Sequence, residues 1–187
     1  MASFEFRPEI FLPGYIGYED ELRMRLLRLA RVAAFALPVL SLLFAGLASR
    51  ANPQSGAVRW GGIGMLCGTV GMPVVLAAAG FTRVELRALL PLPADAIFFG
   101  ALSGLWLSRR WAQRLETWGW FLIVLSMGAG LFMGLYAFDA PLLPADLIGA
   151  YNDPVRRSIR LAHVACILLG FSTIFISRTV EKIGWKL

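Results

Sequence analysis

Five long apolar blocks constrain the fold of this chain more than any other feature of its sequence. A stretch of about 20 apolar residues is long enough to cross the ~30 Å hydrocarbon core of a bilayer as an α-helix. A helix also satisfies its own backbone hydrogen bonds, which lipid cannot do. The pattern therefore predicts an all-α polytopic integral membrane protein, a bundle whose spans cover about residues 29–48, 61–81, 89–107, 117–137 and 154–178.

Composition supports the same class. Hydrophobic residues make up 58% of the 187 residues and charged residues 16%, whereas soluble domains carry about 45–50% and ~25%. The net charge of +6 comes from arginines that lie at the ends of the apolar blocks. Arginines placed there anchor helices among lipid headgroups, so we expect lipids as partners and no nucleic acid. Trp106, Trp111, Trp118 and Trp120 are interpreted as an aromatic belt at one membrane boundary.

The third block leaves the number of spans open, because it begins with Pro91 and Pro93. If it were re-entrant, thirteen of the eighteen Lys and Arg would lie on one side of the membrane; with five spans the division is ten against eight. Block length favours five spans and charge asymmetry favours four. We predict five, with the N-terminus cytoplasmic and a bacterial inner membrane as the location.

The region before the first block, residues 1–28, is rich in aromatic residues and punctuated by proline and glycine. Disordered tails are poor in aromatic residues. We therefore interpret residues 1–28 as an arm that docks on the membrane interface or on another subunit, and residues 29–187 as the helical bundle.

Small residues mark the faces on which the helices are expected to pack. Within lipid, contacts between helices are enriched in small residues, which allow two backbones to approach closely. On the fifth block, positions 163, 166, 170, 173 and 177 read His, Cys, Gly, Thr and Ser, whereas 161, 164, 168, 171 and 175 carry bulky apolar residues. The glycines predicted to serve helix packing are Gly64, Gly68, Gly100, Gly104, Gly130, Gly134 and Gly170.

His163 is the single histidine and lies within a predicted span, where an ionisable residue is a functional candidate. It could be an axial ligand to a haem or a chlorophyll-type pigment, or a hydrogen-bond partner of a quinone. Arg156 and Arg160 would then contact propionates, or alternatively lipid phosphates. The competing interpretation is a histidine hydrogen-bonded across helices, to a backbone carbonyl or to Thr69.

Asp95 is the second ionisable candidate. It follows Pro93 and Ala94, so the simplest prediction is an N-cap for a helix that begins at Ala96. A proton relay between Asp95 and His163 is the alternative.

Taken together, these features favour a non-catalytic accessory or anchoring subunit of a larger membrane complex, involved in electron transfer or photosynthesis. The connections are too short for a catalytic domain, and the sequence carries no nucleotide-binding, hydrolase or metal-ligand motif,. A small transporter or channel using Asp95 and His163 is the alternative. A stand-alone enzyme is disfavoured because it would need a clustered set of acids, bases or metal ligands.

Overall fold

In the computed structural model, which describes residues 21–137 and 154–184, the chain forms five long α-helices and no strand. A short 3-10 helix, Val84–Leu89, precedes the third of them. The α-helices are α1 (Glu21–Ala48), α2 (Gly56–Phe81), α3 (Pro91–Trp111), α4 (Arg114–Ala137) and α5 (Pro154–Lys182). All five are long and apolar enough to span a membrane, which confirms the predicted all-α polytopic class.

The third span is a continuous helix. α3 contains 21 residues, or about 31 Å of helix, and Pro91 and Pro93 lie in its first turn, where a missing backbone N–H costs no intrahelical bond. The third block is therefore one continuous helix and not a re-entrant segment.

The helices extend beyond the apolar blocks into their charged flanks. α1 begins at Glu21, so residues 21–28, predicted as the end of the arm, are already helical. Residues 1–20 lie outside the described part of the chain. The docking role of the arm therefore stays a prediction.

Helices that follow each other in the sequence pack side by side, and α1 also contacts α3. One apolar core joins all five helices and includes Leu40, Met65, Ile97, Trp120 and Ile174. A smaller cluster joins the start of α1 to the end of α2 and includes Leu26 and Leu76. The turns between α1 and α2 and between α3 and α4 are short, and Glu116 near the start of α4 contacts Arg178 near the end of α5. The ends of α1, α3 and α5 and the starts of α2 and α4 therefore lie at one end of the bundle, which we call the α4-start end.

The α2–α3 contact runs along glycines. A methyl group built on Gly64 would lie 2.6 Å from the carbonyl oxygen of Ala96, and one on Gly68 would lie 2.5 Å from Cβ of Ile97. From the other side, a methyl group on Gly100 would meet the backbone nitrogen of Met65 at 3.0 Å. These distances leave no room for a side chain, so glycine is what allows the two backbones to approach.

The α4–α5 contact is built in the same way. A methyl group on Gly119 would lie 2.8 Å from the carbonyl oxygen of Gly170, and one on Gly170 would lie 2.8 Å from that of Gly119. Burial on α5 follows the predicted division, with Gly170 and Ser177 buried and Leu161 and Leu168 exposed. Gly119 was not among the predicted packing residues, and the surroundings of Gly134 lie outside what the structure describes.

Trp120 corrects the predicted aromatic belt. Its side chain is fully buried and packs edge-on against Phe44, with ring centroids 6.3 Å apart. Gly104, on α3, leaves the space that the indole occupies, since a methyl group there would lie 2.5 Å from it. Trp106, Trp111 and Trp118 are exposed, as a belt requires. Trp120 lies two residues deeper along α4 than Trp118, on a side of the helix that faces the core.

Candidate functional site

His163 contacts α4 through a pair of reciprocal hydrogen bonds with Ser126. The imidazole Nδ1 lies 2.7 Å from the Ser126 carbonyl oxygen, and the Ser126 hydroxyl donates to the His163 carbonyl oxygen at 2.8 Å. Nδ1 also lies 2.9 Å from the Ser126 Oγ. The ring lies over Gly130, where a methyl group would be 2.8 Å from Cε1. The side chain is therefore held between two helices and faces protein on this edge.

The carbonyl contact determines which nitrogen of His163 carries the proton. A carbonyl oxygen only accepts hydrogen bonds, so Nδ1 must donate and the neutral ring keeps its lone pair on Nε2. Among the described residues, Nε2 has no hydrogen-bond partner. Of the two interpretations of His163, the hydrogen bond across helices is therefore present, to a carbonyl on α4. Thr69 is not the partner, since its hydroxyl pairs with that of Ser41 at 2.6 Å.

A cofactor ligand remains chemically compatible with this geometry. Histidines that bind metals usually donate their second ring N–H to a carbonyl or carboxylate, which orients the ring. The Nδ1–Ser126 bond does this for His163 and leaves Nε2 as the donor atom. His163 does not line the surface pocket at the α3–α4 turn or the one beside Arg83.

The arginines predicted near His163 are only partly described. Arg160 is half-buried and has contacts of its own, and the side chain of Arg156 lies outside the described part of the structure. Their proposed contact with propionates or lipid phosphates stays a prediction.

Asp95 is not the helix cap that its sequence context suggested. α3 begins at Pro91, with Leu90 in the N-cap position, so Asp95 lies in the second turn of the helix and its side chain is exposed. Prolines 91 and 93 begin the helix instead of preceding it. In the described residues no hydrogen bond connects Asp95 to His163, so the relay has no visible path there.

A buried ionic cluster that was not predicted from the sequence lies at the α4-start end. Glu116 on α4 is fully buried, and its Oε1 accepts from Nε and Nη2 of Arg178 on α5 at 3.1 and 2.8 Å. Its Oε2 lies 3.4 Å from Nη1 of Arg50, which also pairs with Glu181 at 3.1 Å. Two positive and two negative groups thus neutralise one another, so the cluster serves structure better than it would bind an ion.

Arg178 extends the cluster to α1. Its Nη2 also donates to the carbonyl oxygen of Leu43 at 2.8 Å, and Gly46 makes room for the guanidinium, since a methyl group there would lie 2.7 Å from Nη1. The ionic cluster therefore joins the first and last helices of the bundle. The sequence feature that pointed to this cluster is Glu116, the one acidic residue in the otherwise basic connection between the third and fourth apolar blocks.

The described residues contain no group of three or more His, Cys, Asp or Glu side chains that could hold a metal ion. The fold and its polar groups thus define a five-helix integral membrane protein with one oriented histidine and one structural ionic cluster. No protein-family model, curated protein or solved structure matches the chain.

Proposed function

We propose that this protein is a non-catalytic subunit of a larger membrane complex and that α5 is the helix that contacts its partner. One observation carries the proposal. Only 11% of the most apolar stretch of α5 is buried, against 22–33% for the other four spans. α5 packs closely on α4, so most of its surface is left to lipid or to another protein.

The residues exposed on α5 favour another protein over lipid. Its outer surface carries Ala162, Ala165, Ser172 and Thr179 among the bulkier residues. The exposed positions of α4 are instead large, namely Trp118, Phe121, Leu125 and Phe132. Small residues bring little to a contact with acyl chains but allow a second helix to approach closely.

The chain's other features are compatible with an accessory role. The hydrogen bonds of Ser126 with His163, and the ionic cluster, are satisfied within the bundle.

The slight excess of Lys and Arg on the N-terminal side, ten of eighteen, supports a cytoplasmic N-terminus in a bacterial inner membrane. A transporter would need polar groups aligned through several spans, and no described contact joins Asp95 to His163.

The test is isolation of the tagged protein from its native membranes in mild detergent, followed by native gel electrophoresis and mass spectrometry of the co-migrating chains. We expect a defined set of membrane subunits. The double variant A165L/S172L should lose them because the added bulk separates the helices. A34L/A45L, which adds the same bulk at exposed positions of α1, should retain them. A wild-type protein that migrates alone and catalyses solute flux in liposomes would overturn the proposal.

We further propose that Nε2 of His163 contacts a cofactor shared with the partner, in keeping with an electron-transfer or photosynthetic complex. Its lone pair can ligate the metal of a haem or a chlorophyll-type ring, or accept a hydrogen bond from a quinol hydroxyl. What supports this is the orientation of the ring by the Ser126 carbonyl at 2.7 Å, together with the lack of a described partner for Nε2.

Replacing His163 by alanine is expected to remove the tetrapyrrole absorption band of the complex purified from native membranes, because the metal of the tetrapyrrole loses its histidine ligand. C166A, a similar truncation at a half-buried position of the same helix, should leave the band unchanged. A colourless wild-type complex whose organic extract also contains no quinone would show that His163 serves packing alone.

A further inference from the structure

A basic pocket lies at the turn between α3 and α4, on the α4-start end. It has a volume of about 220 Å³ and is lined by Arg109, Ala112, Arg114, Thr117 and Trp118. Arg109 is in the last turn of α3 and Arg114 is the first residue of α4, so the short turn brings two cationic side chains to the same opening. The pocket belongs neither to the His163 site nor to the ionic cluster.

Among the described residues, the two arginines of this pocket have no acidic partner. Both are exposed, and within the described residues neither has a hydrogen bond or an ion pair. The nearest acid in the sequence, Glu116, faces the bundle interior and is held by Arg178 at 2.8 Å. Burying that carboxylate leaves the pocket with two positive charges that no described acid compensates. A second shallow pocket, at the other end of the bundle, contains an acid, Glu85, beside its arginines.

The surroundings place the pocket at the depth of lipid headgroups. The Trp118 side chain is 63% exposed, and exposed tryptophans concentrate at the boundary between hydrocarbon and water. In the last turns of α3, the Arg110 guanidinium lies 4.2 Å from the ring centroid of Trp106, so this arginine stacks on an aromatic ring outside the pocket. A guanidinium pair at this depth matches the phosphate of an anionic lipid, which arginine binds through paired N–H groups.

We infer that the pocket formed by Arg109, Arg114, Thr117 and Trp118 binds the phosphate headgroup of an anionic phospholipid. The two guanidinium groups bind the phosphate, and the indole of Trp118 packs beside the glycerol and upper acyl region. The lipid then covers the α3–α4 corner of the bundle. This inference does not depend on the function proposed above.

The experiment is titration of the purified protein with phosphatidylglycerol or phosphatidylcholine in mild detergent, with bound lipid counted by native mass spectrometry. We expect preferential binding of phosphatidylglycerol and an apparent affinity weaker by at least about tenfold for R109Q/R114Q, because each guanidinium loses its charge-assisted hydrogen bonds to the phosphate. R59Q/R110Q removes the same charge at the same end, from two exposed arginines that do not line the pocket. It should change the affinity less than twofold.

Three outcomes would overturn the inference. The first is equal weakening by R109Q/R114Q and R59Q/R110Q, which would indicate a diffuse charge effect. The second is equal affinity of the wild-type protein for the two lipids. The third is displacement of phosphatidylglycerol by millimolar inorganic phosphate, which would show that the pocket holds free phosphate instead. Because all four arginines are exposed, the variants should keep the helical circular dichroism of the wild type.

Discussion

Replacing Glu116 by glutamine should lower the free energy of unfolding by about 3–5 kcal/mol, the usual cost of removing one partner of a buried ion pair. The carboxylate of Glu116 is almost inaccessible, with 1% of its side chain exposed, and the Arg178 side chain is 19% exposed. Without the carboxylate, the guanidinium of Arg178 would stay enclosed with no negative partner. Reversible unfolding in mixed micelles of sodium dodecyl sulfate and a mild detergent measures the change.

Two further variants make this prediction specific. E181Q removes an acid from the same cluster, but its side chain is 46% exposed, so it should cost less than about 1 kcal/mol. E116Q/R178M, which removes both charges, should recover most of the loss, since apolar groups can replace a buried pair at little cost. If E116Q were no more destabilising than E181Q, the cluster would not be holding the helices together.

The second large effect is expected for Gly68→Ala on α2. The new methyl group would lie 2.5 Å from Cβ of Ile97 and 2.9 Å from its backbone nitrogen. Because a backbone cannot move aside as a flexible side chain can, α2 and α3 must separate. We expect a loss of about 3 kcal/mol, at the upper end of the range for overpacked sites, measured by the same unfolding assay.

Gly62→Ala is the matched control for this substitution. It makes the same chemical change on the same helix, but its methyl group would lie 3.9 Å from the nearest atom, in the ring of Phe44. This variant should be neutral or up to about 1 kcal/mol more stable, because alanine favours the helix. Equal effects of G62A and G68A would contradict close packing of α2 on α3.

The spans and the packing face of α5 could be predicted from the sequence, because both depend on local patterns. Apolar block length predicts the helices. The 3-4 spacing of His163, Cys166, Gly170, Thr173 and Ser177 indicates which side of α5 faces protein, and the structure buries Gly170 and Ser177.

The ionic cluster could not be predicted in the same way. Glu116 and Arg178 are 62 positions apart, and nothing local to either residue shows that the start of α4 and the end of α5 lie side by side. The same limit applies to the partner of His163. A carbonyl was an expected acceptor, but only the α4–α5 packing selects that of Ser126 over the Thr69 hydroxyl.

Two interpretations were wrong for local reasons. The predicted cap role of Asp95 assumes that Pro91 and Pro93 precede the helix, whereas both lie in the first turn of α3. Trp120 was assigned to the boundary by its position near the end of a block. Its neighbour Trp118 is 63% exposed and Trp120 is fully buried. The burial of each tryptophan therefore depends on which side of α4 it lies, and not on its position along the helix axis.

The bond from Arg178 to the Leu43 carbonyl links positions 135 residues apart in the chain. Synthesis proceeds from the N-terminus, so α1 has already entered the bilayer long before this arginine is made. Final closure of the bundle must wait until the ribosome has finished the last span. A nascent or truncated product that stops before residue 178 leaves the Glu116 carboxylate without its main donor.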